Sequence, residues 1–149
     1  MVKAVTARTA KEYEDTNGKS PFKEWIGGLR DARAKAKLTK AITQMEAGNF
    51  GDHRSITDGK GLYERRLDYG PGYRIYYIKD GDKLIIIFAG SDKSDQQKAI
   101  DDSKGYYEDY LNRKKNEPVE EAKPPKKGKS RLKDKKRKRE NSYGINTRI

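Results

Sequence analysis

Three arginines, Arg65, Arg66 and Arg74, stand among tyrosines in the stretch GLYERRLDYGPGYRIYYIKDGDKLIIIFAGSDK, residues 61–93. Arginine is costly to bury and usually lies along an exposed face, and its planar fork of N–H donors matches the oxygens of a phosphate. On adjacent strands such a set makes a surface suited to a phosphodiester backbone. The plainer alternative is a solvated sheet face. Familiar catalytic constellations are missing: the sequence has no HExxH, no P-loop, no GxSxG and no cysteine. His53 is the only histidine, so no pair of imidazoles can divide acid and base work, and it reads as a polar loop residue. Asp92, Asp95, Asp101 and Asp102 gather where a last helix would begin. Capping and the helix dipole explain most of them, so no metal site and no cofactor is assigned.

The elements that must position these cations follow from local chemistry. Gly70-Pro71-Gly72 and Asp80-Gly81 supply two tight reversals, which divide the stretch into three antiparallel strands over residues 62–69, 74–79 and 84–89. The last is continuously apolar, as suits a central strand covered on both faces. Side chains alternate across a strand, so Glu64, Arg66 and Asp68 share one face of the first, and Arg74, Tyr76 and Ile78 share one face of the second. Arg66 and Arg74 converge if the register brings those faces together, whereas a slip by one residue sends either to the opposite side.

Two helices precede the strands. Ser20 and Pro21 open the first, in which Phe22, Trp25, Ile26 and Leu29 form an apolar stripe. Asp31 caps the second, which turns Ala34, Leu38, Ala41, Ile42 and Met45 toward the core and ends near Gly48-Asn49. Arg33, Lys37, Lys40 and Gln44 line up on its other side, either as a solvated surface or as a second stripe of phosphate contacts. A weaker strand is expected within residues 2–9, and Ser94 is expected to cap a final helix running toward Leu111. The expected fold class is α+β: a small, twisted, mainly antiparallel sheet packed against helices, in the order β-α-α-β-β-β-α.

At Glu64-Arg65-Arg66-Leu67-Asp68-Tyr69-Gly70-Pro71-Gly72-Tyr73-Arg74-Ile75-Tyr76-Tyr77, followed by Ala89-Gly90-Ser91-Asp92-Lys93-Ser94-Asp95-Gln96, the chain resembles the HigB-like addiction-module killer proteins of the RelE/ParE toxin superfamily. Their pattern is an ELRxDYGPGYRxYY hairpin, an apolar strand and GGDKSxQ. The likeness extends through Phe22-Lys23-Glu24-Trp25 and Gly48-Asn49-Phe50-Gly51-Asp52 and covers residues 1–113. Arg65 stands where the pattern has leucine, and Ser91 where it has glycine.

The resemblance implies a RelE/ParE-like fold and a toxin of a type II toxin-antitoxin system: a ribosome-dependent, metal-independent mRNA endoribonuclease that inhibits translation. In that reaction the 2′-hydroxyl attacks the adjacent phosphate, and fixed cations stabilise the charge that develops. It implies Arg74 as the clamp on the scissile phosphate, Lys93 as a charge stabiliser or proton donor, Arg66 as the group that orients the RNA, and Tyr76 as a stacking or proton-shuttling group. Arg33, Lys37, Lys40 and Arg65 are the expected further RNA contacts. Members often carry a tyrosine on the approach to the last helix, where this chain has Asp95, Gln96 and Gln97. Two other readings therefore stand beside the first: a ParE-like poison of DNA gyrase, and an RNA-binding module with an inactivated site. The implied partners are a cognate antitoxin, typically of helix-turn-helix type, and the ribosome with its mRNA.

Charge is unevenly spread. Of 149 residues, 39% are charged and 32% hydrophobic, with a net charge of +12. Residues 1–113 carry 21 Lys and Arg against 18 Asp and Glu, and residues 114–149 carry 14 against 5. Residues 114–149, rich in Lys and Pro, lack apolar periodicity and read as a disordered basic tail, either an arm for RNA or the ribosome or a solubilising extension. With no cysteine, no apolar run of about 18 residues and no apolar signal-peptide core, the expected location is the cytoplasm, with no membrane partner.

Overall fold

The computed structural model describes residues 7–116. In chain order the elements are β1 (Thr9–Glu12), α1 (Pro21–Gly27), α2 (Ala32–Glu46), β2 (His53–Ser55), β3 (Tyr63–Leu67), β4 (Tyr73–Asp80), β5 (Leu84–Ser91) and α3 (Gln96–Asn116). The class is α+β. One five-stranded sheet has the order β1-β5-β4-β3-β2, with β1 parallel to β5 and the other three pairings antiparallel.

Both helix starts form as their cap residues dictate. Ser20 Oγ accepts the Lys23 N–H at 3.0 Å ahead of Pro21, and Asp31 Oδ1 accepts the Arg33 N–H at 2.9 Å. The start of α3 differs from expectation. Asp92, rather than Ser94, holds the turn, accepting the Ser94 N–H at 2.9 Å and the Asp95 N–H at 3.2 Å. The helix then continues past residue 113, so Lys114 lies in α3 with its Nζ 2.7 Å from Asp80. The rest of the expected tail, residues 117–149, lies outside the described residues, as do residues 2–6 of the expected first strand.

The first strand is found later, at Thr9–Glu12, where Thr9 pairs with Leu84 and Glu12 with Ile87. β2 is an addition to the expected order: three exposed residues, His53 among them, pair with β3 at the sheet edge. His53 is thus a strand residue, and its Nδ1 lies 2.8 Å from the Gly51 carbonyl.

Because side chains alternate, the sheet builds a core on each side. Phe22, Leu38 and Met45 from α1 and α2 pack on Ile75, Tyr77 and Ile87. On the other side Ile100 of α3 packs on Tyr76, Ile78 and Phe88, with Tyr13 and Leu62. Tyr13 ties α3 down by donating its hydroxyl to Asp109 at 2.7 Å. α1 is seated on β5 through Trp25, whose ring so closely covers Gly90 that a Cβ there would lie 2.2 Å from it. Gly90→Ala is therefore expected to destabilise the fold by about 1–3 kcal/mol, read as a fall in the urea midpoint. An unchanged midpoint would contradict this seating.

Candidate functional site

The β3–β4 hairpin sets the geometry. Gly70 and Gly72 adopt φ of 55° and 84°, and the Gly72 N–H donates to the Tyr69 carbonyl at 3.0 Å, closing the turn that alternate residues would strain. The resulting register pairs Arg66 with Arg74 and Glu64 with Tyr76. Arg66, Arg74, Glu64 and Tyr76 consequently lie on one face of the sheet. On the next strand Ser91 pairs with Arg74, and the chain leaves β5 so that Lys93 comes alongside: a Cβ built at Gly72 would lie 3.6 Å from Arg74 Nη1 and 3.8 Å from Lys93 Cβ.

A cleft of about 250 Å³ opens here, lined by Arg66, Arg74 and Lys93 together with Asp52 and Asp68. Arg74 is its most constrained cation. Its side chain is 11% exposed, its Nε lies 3.5 Å from Glu64 Oε2, and its Nη1 donates to the Gly72 carbonyl at 3.1 Å. Arg66 is looser, at 41% exposed, and pairs with Asp52 at 3.2 Å. The Nε atoms of both arginines are buried without a hydrogen bond.

Beneath the cleft lies Glu64, whose place on the face of the cations makes it a candidate ion-pair partner for them. Glu64 is fully buried, taking Arg54 Nε on one oxygen and Gln96 Nε2 on the other, each at 2.8 Å. Burial alone pushes its carboxyl up, but the hydrogen bonds from Arg54 and Gln96 and the charge of Arg54 outweigh it and hold the group below the usual glutamate range. An ionised Glu64 thus braces Arg74 from behind. Its position in an alternating strand signalled the shared face, but nothing in the sequence signalled the contribution of α3.

Two expected site residues are placed otherwise. Tyr76 is fully buried under α3, its hydroxyl 3.0 Å from Ser91 Oγ, and burial raises its pKa strongly. It can neither stack a base nor exchange a proton with a ligand in the cleft; it packs the core and adjoins Glu64. Arg65 points to the opposite face, where Nη2 donates to Gln44 Oε1 at 3.0 Å and burial lowers its pKa. Its guanidinium runs so close beneath Gly51 that a Cβ there would meet Nη1 at 2.0 Å. Arg65 is therefore a largely buried residue in the wall of a second cleft.

On α2, Lys37 and Lys40 are exposed and line this second cleft of about 340 Å³, which also includes Arg66 and Tyr69. Arg33 is exposed in the first turn of α2 and lines neither cleft. Among the described residues no cluster of three or more His, Asp or Glu is arranged to hold a metal ion, and no helix is long and apolar enough to cross a membrane.

No family model matches the chain. Over 83 residues it is 42% identical to a Haemophilus influenzae protein described as uncharacterized, an alignment that spans 56% of this chain and 82% of that protein.

Proposed function

The chain belongs to one family with the Haemophilus influenzae protein, and from its own cleft we propose that it is a RelE/ParE-like toxin that cleaves mRNA on the ribosome. The observation that carries this reading is the meeting of Arg66, Arg74 and Lys93 around one open cleft, two of them register partners on adjacent strands. A phosphodiester offers the anionic oxygens that such a group of cations can grip. The element order adds one short edge strand, β2, to the order β-α-α-β-β-β-α expected of the superfamily.

In the proposed reaction the 2′-oxygen forms a bond to phosphorus while the bond from phosphorus to the 5′-oxygen breaks, leaving a 2′,3′-cyclic phosphate and a 5′-hydroxyl. Asp68, a carboxylate in the same cleft, accepts the 2′-hydroxyl proton. Arg74 holds the non-bridging oxygens, whose charge grows in the transition state. Lys93 donates a proton to the departing 5′-oxygen. Arg66 aligns the strand. The cognate antitoxin then acts by covering this cleft or by keeping the protein off the ribosome, and the exposed sides of α1 and α3 are candidate docking faces.

Poisoning of DNA gyrase is the second reading, favoured by one observation: Tyr76, the tyrosine expected to take part in the chemistry, is buried away from the cleft. Induced expression with genome-wide mapping of RNA ends separates the two. New transcript ends within coding sequences, with chromosomal DNA intact, are the expected result; gyrase-dependent DNA breaks with intact mRNA would overturn it.

A further inference from the structure

The second cleft lies beside the site of the proposed bond breaking and shares part of its lining. Both are lined by Asp52, Arg66, Leu67 and Asp68, so Arg66 stands where they meet. At about 340 Å³ the second cleft is of the size at which small-ligand sites begin, about 300 Å³. Its walls combine cations with one aromatic ring: Lys37 and Lys40 from α2 face Tyr69 from the hairpin.

Tyr69 is held in place from several sides. Its hydroxyl donates to Asp31 Oδ2 at 3.0 Å, which spans from the hairpin to the cap of α2. Its ring stacks on Tyr73 at a centroid distance of 6.5 Å, and Lys37 Nζ lies 5.0 Å from its centre. A fixed ring loses little freedom when a flat partner lies on it, and a base stacked on an aromatic side chain beside cations is the common unit of single-strand recognition. A purely anionic ligand would have no use for the ring, and an apolar one would leave Lys37 and Lys40 unmatched.

We infer that this cleft seats the nucleotide next to the scissile phosphate, with its base on Tyr69 and its phosphate between Lys40 and Arg66. The inference rests on the proposed function for the neighbouring phosphate, and its ligand class is single-stranded RNA. Asp52, now paired with Arg66 at 3.2 Å, is the internal anion that the incoming phosphate displaces.

The test uses the full chain and a 2′-O-methyl hexaribonucleotide, which cannot be cut because it lacks the attacking hydroxyl, with 5-iodouridine at one position. Irradiation is expected to crosslink the base to Tyr69, located by peptide mapping. Tyr69→Leu is expected to weaken binding about tenfold, whereas Tyr69→Phe, which keeps the ring, stays within about twofold. Lys40→Ala is expected to lower the salt dependence of binding by roughly one phosphate contact. Circular dichroism and urea midpoints of the variants identify any that fail to fold, in which case the crosslink site on the unaltered chain decides.

A crosslink elsewhere, wild-type affinity in a folded Tyr69→Leu protein, or no binding of the oligomer would overturn the subsite. So would a Tyr69→Leu protein that binds RNA normally but loses its antitoxin, which would assign the cleft to a protein partner. The proposed cleavage is judged separately, by product formation on ribosomes. Tyr69-dependent binding without cleavage would leave the subsite standing and remove the catalytic reading.

Discussion

Arg74→Lys is expected to slow RNA cleavage on translating ribosomes by about 10²- to 10³-fold, the loss typical of removing one preorganised donor to a developing anion. Lysine keeps the positive charge but replaces a planar fork with a single rotatable ammonium. It can neither grip two phosphate oxygens nor hold its place between Glu64 and the Gly72 carbonyl. Lysine is preferred to alanine here because Arg74 is largely buried: an alanine would remove packing along with chemistry. Single-turnover cleavage rates should fall in protein whose circular dichroism remains that of the folded chain. A folded Arg74→Lys protein that cuts at the wild-type rate would remove Arg74 from the mechanism.

Glu64→Gln is expected to produce the largest loss of stability among single substitutions around the site, about 3 kcal/mol. The carboxylate is fully buried, and its two oxygens serve side chains from β2, β4 and α3. Neutralising it strands the Arg74 guanidinium, whereas Arg54, which is half exposed, recovers solvation. The dependence on pH follows from the direction of the shift. Glu64 is held below its ordinary value of 4.5, so its contribution is complete above that value and is lost as pH falls through the lower, folded one. The gap between wild-type and Glu64→Gln unfolding midpoints should therefore be constant near neutrality and close progressively below about pH 4.5. A gap that widens in acid would contradict an ionised Glu64.

How far the sequence could be read differs from element to element. The hairpin was legible because Gly70-Pro71-Gly72 permits few alternatives, and the two helix starts because Ser20 and Asp31 carry the capping oxygens. β2 was not legible. Its three residues are all exposed, so no alternation marks them, and their pairing with β3 is a tertiary event.

Tyr76 shows a different limit. Periodicity placed it on the face of Arg66 and Arg74, as the register has it, but periodicity does not tell where along that face a helix lies. α3 covers the Tyr76 end through Ile100 and leaves the Arg66 end open. One face is thereby divided into core and cleft. The same helix brings Gln96 to Glu64, turning what strand chemistry alone presents as a simple ion pair into a buried brace for Arg74. Tyr69 escaped notice because it sits at the turn, where its meeting with Lys37 depends on the seating of α2 against the hairpin.

The most direct measurement is the chemistry of the RNA ends made by purified protein on ribosomes programmed with a defined message. A 2′,3′-cyclic phosphate upstream and a 5′-hydroxyl downstream of each cut, abundant with the wild-type chain and nearly absent with Arg74→Lys, is the predicted result. A message left whole, or cut equally well by both proteins, would contradict the proposal that Arg74 grips a phosphodiester while its neighbouring 2′-oxygen attacks.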